Sequence, residues 1–191
     1  MSLAILAGIV ASDGHMAKDK STICVINTDK EFIEDVQLLF EAHCGKRGSC
    51  RFIDSGFGSK KYLLRVNSAE LVRKFNNKYA IPIGRKSDTI LPADLDQKES
   101  LNFLCGWIAG DGSVTTDRKR PKIEIWSRSR AIIEWFRCIL EKEGIESRIF
   151  EERHKNEFIL RIGKKESVIK FHEKAQIPHK RKQDKLSALC S

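Results

Sequence analysis

Two aspartates lie in nearly identical surroundings at distant points of the chain. Asp13 and Asp111 are 98 residues apart, and each follows an apolar run and precedes a glycine. Both runs have small residues at helical spacing on one face and large apolar residues on the other, so each is predicted to be a helix that ends at its aspartate. Carboxylates that meet at the C-terminal ends of two helices repel each other unless a cation lies between them. The pair therefore predicts a site for divalent metal.

The small-residue face predicts that the two helices pack directly against each other, because small side chains let two backbones approach closely. Its members are Ala7, Gly8, Ala11, Ser12, Cys105, Gly106, Ala109 and Gly110. The following Gly14 and Gly112 are expected to end the helices in the left-handed conformation. A single Asp-Gly after an apolar run is usually only a helix stop or a turn. Two copies in matching context favour the metal site.

The two stretches, residues 6–14 and 104–112, resemble the LAGLIDADG motif of homing endonucleases, and the pair resembles the single-chain, two-motif form of that family. Each copy keeps five of the nine letters. The kept residues are Leu6, Ala7, Gly8, Asp13 and Gly14 in the first copy, and Leu104, Gly106, Ile108, Asp111 and Gly112 in the second. The earlier acidic position of the motif is Ala11 and Ala109 here, a position that does not hold metal in the family.

The resemblance implies a metal centre and a reaction. Asp13 and Asp111 would hold Mg²⁺, with the backbone carbonyls of Ser12 and Gly110 as additional ligands, and Mn²⁺ or Ca²⁺ would occupy the same sites. The enzyme would hydrolyse both strands of a long, specific double-stranded DNA target to leave short 3′ overhangs. The resemblance also implies that it is encoded in an intron.

Basic residues near the metals would order water and stabilise developing charge. The candidates are Arg128, after a predicted strand, and Lys86 and Lys182, in an Arg-Lys pair that occurs twice. Plain helix-end charge or phosphate anchoring is an equally good reading of the two Arg-Lys pairs. The first half has Thr28 and Asp29 where the second has Arg128 and its neighbour, which argues against fully symmetric strand cleavage.

The rest of the chain is an internal duplication. Twelve residues between positions 64 and 88 recur at an offset of 96, including the Ile-Pro and Arg-Lys pairs. Hydrophobic periods and turn residues predict an α+β fold of two pseudo-symmetric αββαββα repeats, packed through the motif helices and forming a DNA-binding β-saddle. The repeats are assigned to residues 1–89 and 101–191, with residues 90–100 as a linker. We expect a monomer with internal pseudo-two-fold symmetry.

Basic side chains follow the predicted strands. In residues 62–66 and 158–162, alternation turns Arg65 and Arg161 away from the core. Further basic residues on or beside the strands are Arg51, Arg148, Lys18, Lys20, Lys60, Lys61, Arg118, Lys119 and Lys122. Any one of them is best explained as a solvated charge. Together they fit a concave β-surface laid along double-stranded DNA, with most contacts to phosphate.

Composition narrows the class of protein and its compartment. The chain has 191 residues, a formal net charge of +9 and 41% hydrophobic residues, which favours a packed domain with a polyanionic partner. No secretory signal or membrane-spanning run is visible, so a cytoplasmic protein without membrane contact is expected. None of the six cysteines forms a Cys-x-x-Cys pair. Cys44 and Cys50 flank a turn, and the sequence leaves open whether they form a disulfide.

Two other functions compete with the endonuclease. A non-catalytic nucleic-acid binder on the same scaffold would be an intron-splicing maturase, with intron RNA as partner, or a DNA-binding regulator. Paired carboxylates beside a polyanion have no use in a pure binder, which favours the nuclease. A structural repeat protein would leave both the twin Asp-Gly ends and the positive charge without a reason.

Overall fold

The structure, a computed structural model, describes residues 2–54, 60–84, 90–117 and 121–190, without the side chain of Cys190. The first repeat contains α1 (Leu3–Ser12), β1 (Gly14–Met16), β2 (Thr22–Asn27), α2 (Lys30–Cys44), β3 (Ser49–Asp54), β4 (Lys60–Asn67) and α3 (Ala69–Tyr79). The second contains α4 (Gln97–Asp111), β5 (Gly112–Thr115), β6 (Lys122–Ser127), α5 (Arg130–Lys142), β7 (Arg148–Glu152), β8 (Glu157–Ile162) and α6 (Lys165–Lys174). The predicted α+β fold of two αββαββα repeats is confirmed.

One further helix, α7 (Lys180–Cys190), closes the chain. The sequence did not predict it, because α7 is mostly polar and only a few apolar residues carry helical spacing. Of these, Leu186 is fully buried and Leu189 packs partly against the core. The helix therefore depends on tertiary contacts more than on its own pattern.

Each repeat builds one four-stranded antiparallel sheet. The strand orders are β1-β2-β4-β3 and β5-β6-β8-β7, so that β2 and β6 hold corresponding central places. Helices α2 and α5 begin at side-chain caps: Asp29 accepts from the Phe32 amide and Ser129 from the Ile132 amide. Their apolar stripes are buried, so each sheet has one covered face and one outer face.

The two motif helices meet through their glycines, as their small-residue faces predicted. A Cβ added at Gly8 would lie 2.0 Å from the Phe103 carbonyl oxygen, and one at Gly106 would lie 2.0 Å from the Ile5 carbonyl oxygen. These contacts are reciprocal, since each member is related to its counterpart by the same offset of 98. The molecule therefore has a pseudo-two-fold axis between α1 and α4.

The expectation that Gly14 and Gly112 adopt the left-handed conformation is wrong. Gly112 has φ −82° and ψ 161°, and both glycines begin strands, β1 and β5. A Cβ at Gly112 would come within 2.6 Å of the Ile108 Cα, and one at Gly14 within 2.8 Å of the Val10 Cα. Glycine is needed here because the strand turns back closely over the last turn of its helix.

The structure also bears on two sequence predictions, the absence of a membrane-spanning helix and the state of two cysteines. No helix in the parts of the chain that the structure describes is long and apolar enough to cross a membrane. Cys44 and Cys50 are both free thiols.

Candidate metal centre and nucleic-acid interface

Asp13 is held in place by its backbone and by one side chain. As the C-cap of α1 it donates its amide to the Ile9 carbonyl, and its own carbonyl accepts from the Ile26 amide of β2. The Asn27 side chain, at the end of β2, donates to the Asp13 carboxylate at 2.5 Å. The half-buried carboxylate therefore has a fixed orientation at the junction of motif helix and sheet.

Asp111 is the last residue of α4 and is exposed. The contact between the helix ends brings it to Asp13: a Cβ added at Gly110 would lie 2.1 Å from the Ser12 Oγ and 3.0 Å from the Asp13 Cγ. Burial and the nearby Asp111 charge raise the pKa of Asp13 to about 6, although Asn27 and Lys182 lower it. The two carboxylates thus meet on the pseudo-two-fold axis, as predicted.

Lys182 reaches the same place from α7. Its Nζ donates to three terminal carbonyls of α4, those of Ile108 at 3.0 Å, Ala109 at 2.7 Å and Gly110 at 2.6 Å. The ammonium caps the negative end of the helix dipole. Burial lowers the pKa of Lys182 to about 8, while Asp13 and Asp111 act to raise it.

Two cavities flank the carboxylates, and each is lined by residues of both repeats. A cavity of about 440 Å³ lies beside Asp111 and is lined by Ser12, Ser127, Arg128 and Glu157 among others. Its counterpart, of about 310 Å³, is lined by Gly110, Asn27, Thr28 and Lys182 among others. Ser12 corresponds to Gly110, and residues 127–128 correspond to residues 27–28. The cavities are therefore versions of one site that carry different side chains.

The donor set fits a divalent cation. Among the described residues no group of three or more His, Cys, Asp or Glu side chains is placed to hold a metal, so the site depends on the two carboxylates and nearby backbone oxygens. Oxygen donors suit Mg²⁺ and Ca²⁺. Burial first, and then the Asp111 charge, raise the pKa of Asp13, and a cation bound between the carboxylates would oppose both effects. The Gly110 carbonyl already accepts from Lys182 and would offer a metal only its second lone pair.

The predicted basic candidates are placed unequally. Arg128 lines the cavity beside Asp111 and lies 3.9 Å from the Glu157 carboxylate. Lys182 contacts the end of α4. Lys86, Arg118 and Lys119 lie outside the described residues.

The outer face of the first sheet, which we call the first outer face, is cationic. Directly paired residues of an antiparallel ladder share a face. The strand residues on this face are His15, Thr22, Cys24, Ile26, Ser49, Arg51, Ile53, Lys61, Leu63, Arg65 and Asn67. They include three basic residues and no acidic one.

The second outer face is its counterpart in the second sheet. Its strand residues are Ser113, Thr115, Lys122, Glu124, Trp126, Arg148, Phe150, Glu152, Glu157, Ile159 and Arg161. They include three basic and three acidic residues. The two faces thus share a backbone framework but differ in net charge.

Three further predicted contacts lie off the centres of these faces. Lys60 pairs across from Asp54 and alternates with Lys61, so it points to the other side of the first sheet. Lys18 and Lys20 are exposed in the turn between β1 and β2.

Sequence reasoning missed three features of the site. Asn27 binds the Asp13 carboxylate, although its place at the end of a predicted strand suggests no more than a cap for the next helix. Glu124 is buried in the middle of β6 and was not considered. Helix α7 is fixed by Asp29, whose carboxylate lies 3.1 Å from Arg181 and 3.8 Å from His179. The Arg-Lys pair, which occurs twice in the sequence, was the one signal that pointed to α7.

Comparison with known proteins places this geometry in a family. The family model described as LAGLIDADG-like domain matches residues 1–79 and 98–176. The sequence matches no curated protein. Among solved structures, the fold is similar to I-DmoI in complex with DNA and Ca, with TM-score 0.64, 18% identity, and coverage of 89% of this chain and 86% of that one.

Two other solved structures show the same fold. A variant of I-DmoI in complex with its target DNA in the presence of Mn has TM-score 0.64 and 17% identity, covering 90% of this chain and 91% of that one. The N-terminal LAGLIDADG domain of DUF199/WhiA has TM-score 0.62 and 17% identity, covering 99% of this chain and 82% of that one. The family match covers both repeats, and the twin motif helices, paired carboxylates and twin sheets follow it. The chain belongs to the LAGLIDADG family.

Proposed function

We propose that this protein is a divalent-metal-dependent endonuclease that binds a long, specific double-stranded DNA site and hydrolyses both strands, leaving short 3′ overhangs. The observation that carries the proposal is the meeting of Asp13 and Asp111 at the ends of two motif helices, on the axis that relates the two outer faces. The similar I-DmoI structures contain DNA together with Ca or Mn. We further propose Mg²⁺ as the working ion and an intron as the coding context.

The residues supply complementary parts of the reaction. Asp13 and Asp111 would hold the metal, which on binding lowers the pKa of water and polarises a phosphate oxygen. Asn27 fixes the orientation of Asp13. Lys182 and Arg128 place positive charge in the cavities on either side, where a phosphate would lie. In hydrolysis water adds to phosphorus, the bond from phosphorus to one bridging oxygen breaks, and that oxygen leaves as a hydroxyl after taking up a proton from the water.

The symmetry of the ligand explains the symmetry of the protein. A duplex is roughly two-fold in shape, and two sheets related by a pseudo-two-fold axis can lie along it with most contacts to phosphate. The two cavities would then lie near one phosphate of each strand. Because residues 27–28 and 127–128 differ, the two strands are cut at different rates.

A second candidate function is supported by Lys182. Its ammonium lies beside both carboxylates and donates to the α4 carbonyls, which partly neutralises the pair without a metal. A DNA-binding regulator or a maturase that binds intron RNA would need nothing more at this position. The fold similarity to the WhiA domain is equally compatible with this candidate, since fold alone does not decide activity.

Cleavage of supercoiled plasmid that carries the intronless host locus tests the proposal. We expect Mg²⁺-dependent linear product that EDTA abolishes, and a loss of at least about 100-fold in Asp13→Asn and Asp111→Asn, because a carboxylate ligand is removed. Glu166→Gln, an exposed carboxylate on α6, is the matched control and should cleave normally. Tight binding without cleavage in the wild type would instead establish the second candidate.

A further inference from the structure

One buried carboxylate pairs with two basic residues at the centre of the second outer face. Glu124 is only 6% exposed. Its Oε1 accepts from the Arg161 Nε and Nη2, both at 2.7 Å, and its Oε2 lies 2.9 Å from the Lys122 Nζ. Both carboxylate oxygens are therefore bound to basic side chains, with little access to water.

The first outer face has a thiol at the same position. Cys24 is paired directly with Arg65, as Glu124 is with Arg161. Neither Arg65 nor Arg51 takes part in an ion pair between residues that the structure describes, and both are exposed. Phe150 stands where the first face has Arg51, since each pairs with the corresponding residue of the long central strand, Ile159 or Leu63.

The electrostatic consequence follows from how duplex DNA attracts proteins. Each basic side chain that neutralises a phosphate releases bound counterions, and this gives sequence-independent, salt-dependent affinity. Arg51 and Arg65, which form no ion pair with any acidic residue in the described part of the chain, can contribute this affinity fully. Lys122 and Arg161 share the one negative charge of Glu124, so together they contribute less of this affinity than two unpaired cations would.

The geometry gives Arg161 a different capacity. Glu124 fixes one edge of its guanidinium, and the Phe150 ring covers it at 4.4 Å from centroid to Cζ. The side chain is still 37% exposed, and the hydrogens of Nη1 are not used by Glu124. An immobilised guanidinium with a free edge is suited to guanine, whose O6 and N7 accept two parallel hydrogen bonds in the major groove.

We propose that Glu124 divides the labour between the two sheets: it makes the second outer face the base-reading half, with Arg161 contacting guanine, while the first outer face holds phosphate. Glu124 is a positioning residue, because it acts through Arg161 and Lys122. This inference rests on the proposed binding of duplex DNA. It does not require cleavage.

The test measures the affinity of each variant for two probes over a series of KCl concentrations. One probe is a duplex selected by the wild type from a pool with a randomised central segment, and the other is an unrelated duplex of fixed sequence. The variants are Glu124→Gln, Arg161→Ala, Arg65→Ala and the mirror substitution Cys24→Glu. Each variant also reselects the pool, and circular dichroism checks folding.

Arg161→Ala should weaken binding of the selected duplex about 5- to 150-fold and erase one guanine preference from the pool, with a much smaller effect on the unrelated duplex. Arg65→Ala should weaken both probes by the same factor and reduce the salt slope by about 1. Glu124→Gln should strengthen binding of the unrelated duplex and steepen the salt slope by about 1, since one negative charge is removed beside Lys122 and Arg161. Cys24→Glu should do the opposite.

The contrary outcomes are equally specific. If Arg161→Ala and Arg65→Ala change both probes alike, or if Glu124→Gln leaves slope and pool preferences at wild-type values, the division of labour is wrong. If Arg161→Ala fails to fold, Arg161→Lys replaces it, since lysine keeps the charge but loses the bidentate geometry of the guanidinium. Failure of the wild type to bind any duplex would instead overturn the proposed function itself.

Discussion

The two repeats share one backbone framework and differ at the positions that face the ligand. Their motif helices pack through the same glycine at the same place, and their sheets have the same strand order. At matching places, however, the first repeat has Cys24 and Thr28 where the second has Glu124 and Arg128. The two repeats have therefore kept the helix contacts that join them, while side chains at corresponding strand positions have diverged.

The largest expected loss of stability concerns the glycine contacts between α1 and α4, which the two repeats share. Gly8→Ala and Gly106→Ala should each destabilise the protein by about 3 kcal/mol or more, because each new Cβ would meet a backbone carbonyl that cannot move alone. Gly110→Ala should cost less, since its nearest neighbour is the Ser12 hydroxyl. Urea unfolding measures all three. A large difference between the stabilities of Gly8→Ala and Gly106→Ala would show that the two helices do not pack symmetrically.

The next prediction concerns how the stability of the protein depends on pH, and it distinguishes Asp13 from His179. The pKa of Asp13 is raised to about 6, so the folded state holds extra protons between about pH 4 and 6, and stability falls as pH rises through this window. Burial lowers the pKa of His179 to about 4, so the unfolded state holds extra protons, and stability rises from about pH 4 to 6.5. The two contributions oppose each other.

Wild-type stability in EDTA should therefore be nearly flat across this range. In Asp13→Asn only the His179 contribution remains, so the free energy of unfolding should rise by on the order of 2 kcal/mol between pH 4 and 6.5. In His179→Phe only the Asp13 contribution remains, so the free energy of unfolding should fall over the same range. Urea midpoints at a series of pH values measure this. Parallel pH profiles for the two variants would show that neither group has the environment described above.

The smallest effect compares the two helix caps. Ser129→Ala should cost about 1 to 2 kcal/mol, because it removes both the cap of α5 and the bond that the Ser129 hydroxyl donates to the Ile90 carbonyl. Asp29→Asn keeps a capping oxygen for α2 and loses the charge that faces Arg181, an exposed partner, and His179 at 3.8 Å, so it should cost less. Thermal melting of the two variants measures the difference. A larger loss for Asp29→Asn would show that α7 depends strongly on that charge.

Local pattern was enough to predict most of the fold. The apolar period, the cap residues and the offset of the repeats predicted the order of helices and strands, because each of these signals lies within a few residues. The meeting of Asp13 and Asp111 was also predictable, since two identical helix faces are natural partners.

Features that depend on distant contacts were not predictable. Helix α7 is stabilised by burial of Leu186 and by Asp29, which is far away in the sequence. The ion pair of Glu124 with Arg161 depends on the register between β6 and β8, and no single strand reveals it. The extended conformation of Gly112 reflects a close crossing of strand over helix, whereas its position alone suggested a helix end.

The central claim is that Asp13 and Asp111 together hold a divalent metal ion at the pseudo-two-fold axis. Electron paramagnetic resonance of Mn²⁺, added to the protein with its selected duplex, tests this most directly. We predict that the wild-type complex depletes the free-ion signal and that Asp13→Asn and Asp111→Asn each restore it. A wild-type complex that binds the duplex tightly and leaves the Mn²⁺ signal unchanged would contradict the claim and identify a non-catalytic binder.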